Sequence, residues 1–236
     1  MTTFIFLAIA VTLAAFIQGT VGVGFALIVA PVFGLIEPML LPVALLILML
    51  PLNIYVAWRE RSELDSGGAA WITLGRVAGA VGGVWIITRI SPHSLNLLIG
   101  LSTIAAALAT LCAPSFAPGR KALIVAGAVT GITETATGIG GPALAMVFQH
   151  HKAAALRSTI ALCFAIGEAV SLLLLCWAGQ IKPGQIGVTA ALVPAVVVGA
   201  LLSQFAHHRF EGKTLRFCVM AFAIVSGAVI LYQTLK

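Results

Sequence analysis

The chain has 236 residues, of which 61% are hydrophobic and only 8% charged, against roughly a quarter charged in soluble proteins. This excludes an ordinary soluble enzyme, and at about 20 apolar residues per ~30 Å of hydrocarbon core the length holds about eight spans and no separate soluble domain. The net charge of +6 invites a nucleic-acid reading, but Lys and Arg fall singly or in pairs between apolar stretches, with no basic face carrying interleaved aromatics.

Hydropathy predicts eight apolar blocks at about 3–36, 39–58, 68–88, 94–113, 121–149, 155–178, 185–206 and 215–234. Polar punctuation such as Arg59-Glu60-Arg61, Ser91-Pro92-His93, Pro118-Gly119-Arg120-Lys121 and Lys182-Pro183-Gly184 separates them. The start, Met1-Thr2-Thr3, lacks the basic n-region of a signal peptide, and its apolar run continues past a normal cleavage point, so it is expected to be retained. Cys112, Cys163, Cys176 and Cys218 all lie in apolar runs without metal-ligand spacing and are expected to be buried small residues.

Block one is too long for one crossing. A continuous helix over 3–36 would run about 50 Å at 1.5 Å per residue, well beyond the bilayer core. Gly19, Gly22 and Gly24 supply a break there; Gly138, Gly140, Gly141 and Pro142 supply one in block five. The competing reading is a glycine seam for close helix packing. An offset of 116 residues lays Gly22 and Gly24 over Gly138 and Gly140, and Gln18 over Glu134. The other blocks follow in register, which predicts an all-α membrane protein of two four-block repeats, 1–117 and 118–236, each opening with a broken helix.

Charge bears on whether the broken blocks cross. If all eight blocks cross, loop positives divide evenly between the two sides and fix no orientation. If blocks one and five are re-entrant hairpins, the repeats are inverted. Arg59, Arg61, Arg120, Lys121, Lys152, Arg157, Arg209, Lys213 and Arg216 then face Arg89, Lys182 and Lys236, and the first group marks the cytoplasmic side.

The segment Gly22-Val23-Gly24-Phe25-Ala26-Leu27-Ile28-Val29-Ala30-Pro31, returning as Gly138-Ile139-Gly140-Gly141-Pro142-Ala143-Leu144 in a chain of this size, resembles the TauE/SafE sulfite exporter family of bacterial membrane permeases. The resemblance implies transport of small sulfur-containing or organic anions, such as sulfite or organosulfonates, across the cytoplasmic membrane, without a cofactor. Phe25 stands where the second repeat has Gly141, so the two halves are not equivalent and the substrate is expected to be held asymmetrically.

Independently of the family, the breaks expose helix N-termini whose unpaired N–H groups attract anions. The candidate substrate-binding residues are therefore Gly22, Gly24, Thr20, Gly138, Gly140, Gly141 and Thr137, with Arg76 as a neutralising cation. Arg76, Glu134 and Glu168 are the three ionisable residues well inside apolar blocks, and each costs at least about 2.5 kcal/mol at the bilayer centre unless it faces protein or water. Arg76 either meets the anion, pairs with Glu134 or Glu168, or snorkels. Gln18 and Glu134 precede the two breaks and are both expected to hydrogen-bond the unwound segments. Glu134 and Glu168 are read as coupling or structural residues, since a charged carboxylate repels an anion and a protonated one does not. Thr133, Thr135, Asn53 and Gln204 are further hydrogen-bond candidates that also serve as helix-packing residues.

The pairs His150-His151 and His207-His208 sit at block ends and read as solvated loop rather than a metal site. Trp58, Trp71, Trp85, Trp177 and Tyr232 lie towards block ends, where interfacial aromatics belong. No Gly-x-Ser-x-Gly elbow or His-Glu-x-x-His motif suggests an intramembrane enzyme, and a scaffold would not need two repeated breaks. A passive anion channel is the closer rival. The partners implied are a small anion and the bilayer; proton coupling and homo-oligomerisation stay open.

Overall fold

The computed structural model describes residues 2–112, 118–148, 151–206 and 212–236. Among these there is no strand and there are ten α-helices: α1 (Thr2–Val21), α2 (Phe25–Ile36), α3 (Val43–Arg59), α4 (Ser66–Ile87), α5 (Pro92–Leu111), α6 (Arg120–Thr137), α7 (Gly141–Val147), α8 (Ala153–Trp177), α9 (Pro183–Ala206) and α10 (Gly212–Leu235). Six of them, α1, α4, α5, α8, α9 and α10, contain stretches long and apolar enough to cross a membrane. This is a multi-pass membrane protein.

Local chemistry sets the helix starts. The Asp65 carboxylate accepts from the Gly68 N–H at 3.0 Å to cap α4, and the Ser91 hydroxyl accepts from the Ser94 N–H at 3.2 Å to cap α5, whose first residue is Pro92. Block one is divided by residues 22–24 and block five by 138–140, where the glycines are. Gly22, Gly24 and Gly138 carry φ values of 93°, 128° and 81°, which side-chain-bearing residues rarely adopt. Gly19 belongs instead to the seam reading: it lies in α1 against Ser203 of α9, with no room for a Cβ.

Glycines also bring α4 and α6 into backbone contact. A Cβ on Gly75, Gly79 or Gly83 would strike the backbone of α6, and one on Gly127 or Gly131 would strike that of α4. Small residues permit this approach, and close packing is what holds helices together where lipid removes the hydrophobic drive. The order of these contacts, from Ile72–Gly127 through Arg76–Gly131 to Gly83–Thr135, makes the two helices parallel. In the same way α1 runs parallel to α9, with Thr12 beside Gly199 and Gly19 beside Ser203. The α3–α8 and α5–α10 pairs are antiparallel, the first joined by Glu60–Arg157 at one end and Asn53–Glu168 further along, the second by Gly100–Leu231 and Gly227–Ile104. Under the 116-residue offset the α1–α9 and α4–α6 contacts exchange places, as do α3–α9 and α4–α8.

The perimeter is apolar, with aromatics near helix ends. Trp58, Trp71, Trp85, Trp177 and Tyr232 are exposed. Arg61 stacks over Trp58, Arg120 over Trp71 and Lys236 over Tyr232, at 4.9–5.5 Å from the ring centres, as basic and aromatic side chains do at a membrane–water boundary. The cysteines depart from expectation: only Cys163 is buried, while Cys112, Cys176 and Cys218 lie on the outer surface. A lipid-covered surface accepts a small apolar thiol as readily as a core does, so hydropathy does not distinguish the two positions.

Candidate functional site

The two breaks are built alike. The last turn of α1 closes with the Gly22 N–H donating to the Gln18 carbonyl at 2.7 Å, and that of α6 with the Gly138 N–H donating to the Glu134 carbonyl at 2.7 Å. These are equivalent positions under the offset. Beyond each break the chain reverses, and α2 packs on α1 while α7 packs on α6. The breaks then meet: a methyl placed on Gly141 would stand 3.8 Å from Val23 Cβ. Between them lies a narrow cavity of ≈ 10 Å³, lined by Gln18, Val23, Gly24, Gly141, Pro142 and Phe164 among others; that is the space of about one water.

The side chains at the breaks do different work in the two halves. The Gln18 Oε1 accepts from the Phe25 N–H at 3.1 Å, capping the start of α2. The Glu134 side chain departs from the expectation that it too binds the unwound segment. It is ion-paired with Arg76 of α4, and Thr130 tends the second break, donating to the Gly140 carbonyl at 3.2 Å. A buried guanidinium outcompetes a backbone N–H for a carboxylate because a charged pair makes the stronger bond. Gly140 still lies directly on Glu134, 3.0 Å from Glu134 Cβ to where its own Cβ would be.

Arg76, Glu134 and Glu168 are together and closed off, at 1%, 0% and 0% exposure. Arg76 Cζ sits 4.8 Å over the Phe164 ring, and Gly167 of α8 gives the guanidinium its place. Phe164 lines the cavity and Arg76 does not, so the ring stands between the guanidinium and that space. Arg76 Nε and Nη1, Glu134 Oε1 and Glu168 Oε2 are buried without hydrogen-bond partners. Glu168 Oε1 accepts from Asn53 Nδ2 at 2.7 Å, and Asn53 Oδ1 accepts from Gln18 Nε2 at 3.3 Å. A continuous polar chain thus runs from the Phe25 N–H through Gln18 and Asn53 to Glu168.

Other candidates are spent locally. The Thr20, Thr133 and Thr137 hydroxyls donate to carbonyls one turn back, at Phe16, Val129 and Thr133, as hydroxyls in membrane helices do. Thr137 also accepts from the Ile139 N–H at 3.3 Å, inside the second break. Thr135 bonds Ser171 of α8 at 2.6 Å. The two helix N-termini are unequal: α2 has 12 residues, whereas α7 has seven and loses one donor to Pro142. Of the histidine pairs, His151 stands edge-on to Phe148, while His150, His207 and His208 lie outside the described residues.

Sequence reasoning counted Arg59 and Arg157 only as loop charge. In the structure Arg59 Nη2 donates to the Gly19 carbonyl at 2.9 Å, and Arg157 Nε donates to both Glu60 oxygens at 3.0 and 2.9 Å. Arg157 Cγ also lies 2.7 Å from where a Gly22 Cβ would be. An ionic cap therefore covers one side of the first break. The available signal was Glu60, an acid set between Arg59 and Arg61 at the end of an apolar block.

No curated protein and no solved structure is significantly similar to the chain. The profile of the sulfite exporter TauE/SafE family, whose members are membrane transporters, matches residues 7–230, nearly the whole chain. Taken with the multi-pass helical fold, that match places the chain in the sulfite exporter TauE/SafE family.

Proposed function

We propose that the chain is a secondary carrier of a small anion, such as sulfite, an organosulfonate or a related organic anion, across the bacterial cytoplasmic membrane. The observation that carries this reading is the meeting of the two helix breaks at Val23 and Gly141. Unwound backbone is tolerated at membrane depth only where it is buried or lines a polar cavity, and the start of α2 presents the positive end of a helix to the space between the breaks. Arg76 stands one ring behind, over Phe164, with its charge balanced by Glu134. In this reading Gly22, Gly24, Gly138, Gly140 and Gly141 let the backbone approach the anion, with Thr20 and Thr137 beside them. The smallness of the cavity favours a carrier that closes around its substrate over an open channel.

The contact pairs that exchange under the offset support two repeats, 1–117 and 118–236. The reversals after α1 and α6 support an inverted relation, in which nine loop positives face the cytoplasm and three the outside. Proteoliposomes offered sulfite, sulfonates and carboxylates test the function. The expected result is saturable uptake, driven against a gradient by counterflow and abolished by Gly140→Val, whose side chain would meet Thr130 and Glu134. Non-saturating flux without counterflow is the channel result and overturns the carrier.

A further inference from the structure

We propose that Glu168, and not Glu134, is the site that binds the transported proton in a proton-linked anion cycle, and that the chain Glu168–Asn53–Gln18 ties its protonation to the first helix break. This rests on the carrier reading above and adds to it the coupling ion and its residue.

The first argument is a count of charges. The closed cluster holds one cation, Arg76, and two carboxyls, Glu134 and Glu168, all effectively without exposure. Glu134 has the direct ion pair with Arg76 and Glu168 has none. With both carboxyls ionised the cluster carries one uncompensated negative charge behind an anion cavity; one proton removes it. Protonating Glu134 instead would leave Arg76 and Glu168 both charged and without a direct ion pair, so the proton goes to the carboxyl outside the pair.

The second argument is the hydrogen-bond inventory. Glu168 Oε1 accepts from Asn53, whereas Glu168 Oε2 is buried with no partner. A free carboxylate oxygen in a closed site is a vacant proton position, and a protonated Oε2 becomes a donor; Glu134 Oε1 is unpartnered too, so it is the ion pair with Arg76 that decides between the two. Among the described residues, other elements around α8 offer no second cation to fill that role. From α4 the facing charge is Arg76, with Asp65 far off at the helix start; from α6 it is Glu134. In α3, Arg59 is turned to Gly19, over the Tyr55 ring. α1 and α7 contain no titratable residue. On α8 itself Arg157 is held by Glu60, and Cys163 donates to the Ala69 carbonyl at 3.8 Å. The residues of the 3-10 turn Arg61–Glu63 are exposed.

The third argument is connectivity. Asn53 sends one amide hydrogen to Glu168 and receives one from Gln18, whose oxygen caps Phe25 at the start of α2. A change in charge at Glu168 alters the demand on Asn53 and, through Gln18, on the Phe25 N–H, next in the chain to the cavity-lining Gly24. In each cycle H⁺ adds to the Glu168 carboxylate as the anion binds and leaves as the anion leaves; no other bond forms or breaks.

The test uses the full chain in proteoliposomes with sulfite as probe, measured with and without a proton gradient directed with the anion. Wild type is expected to show uptake stimulated several-fold by the gradient, and Glu168→Gln a stimulation ratio of about one at whatever absolute rate it retains. A Glu168→Gln ratio equal to that of wild type overturns the assignment. Wild-type sulfite uptake that is saturable but indifferent to the gradient also overturns it, while leaving the carrier reading intact; absence of saturable uptake of every anion offered defeats the carrier reading itself. Should Glu168→Gln not fold, Asn53→Ala leaves Glu168 in place and removes its hydrogen-bond partner. A shifted pH profile of uptake in Asn53→Ala supports the proposal, and an unshifted one overturns it.

Discussion

Gly167 lies flat against the guanidinium of Arg76, so close that a Cβ at Gly167 would fall on Arg76 Nε. The missing side chain is what lets a buried arginine reach Glu134 while stacking on Phe164. Gly167→Ala is therefore expected to destabilise the protein by about 1–3 kcal/mol through overpacking. Gly187→Ala on α9, with nothing within 4 Å of the new methyl, is expected to be neutral or to stabilise by up to about 1 kcal/mol from helix propensity. Thermal unfolding in detergent compares them, and equal midpoints would show that Arg76 has room to yield.

The Arg76–Glu134 pair can be separated into structural and functional parts. Arg76→Met alone strands the buried Glu134 and is expected to cost about 3–5 kcal/mol, while Arg76→Met with Glu134→Leu removes both charges and recovers most of it. Transport is expected to stay lost in the double variant, because the buried pair that backs the cavity-lining Phe164 and underlies Gly140 is gone. Unfolding midpoints and sulfite uptake measured on the same preparations check this. A stable double variant with wild-type uptake would reduce the pair to a packing element.

The hairpin reading makes a topological prediction. Single cysteines at Thr2 and Lys236, in a background with the four native cysteines replaced, are expected to be labelled from the outside by a membrane-impermeant thiol reagent, and one at Ser62 only after permeabilisation. Labelling of Thr2 and Lys236 from opposite sides would exclude the two re-entrant breaks.

Much of the fold was legible because hydropathy and glycine chemistry act locally. The block expected at 68–88 is α4 at Ser66–Ile87, that at 155–178 is α8 at Ala153–Trp177, and the two long blocks divide at their glycines. Burial of Arg76, Glu134 and Glu168 followed from the cost of charge in an apolar segment. Which carboxyl Arg76 takes did not, since it depends on helix register: α4 lies in backbone contact with α6, which brings Glu134 within reach. The Asn53–Glu168 bond spans 115 positions across antiparallel helices and has no pattern in the chain. Arg59 and Arg157 were indistinguishable from topology-setting charge because their partners are a carbonyl on α1 and a carboxylate on the α3–α4 connection.

The seam between α4 and α6 has no room for a Cβ at Gly75, Gly79, Gly83, Gly127 or Gly131, and α1 is set into α9 in the same manner at Gly19 and Gly199. Each opening helix of one half is thus clamped to the fourth helix of the other. In the carrier reading proposed above, swinging residues 1–117 as one rigid body against 118–236 would unzip both seams at once. The elements outside these two seams are the short arms α2 and α7 with α5 and α10 beside them, so in that reading the moving boundary cuts across the sequence halves instead of following them.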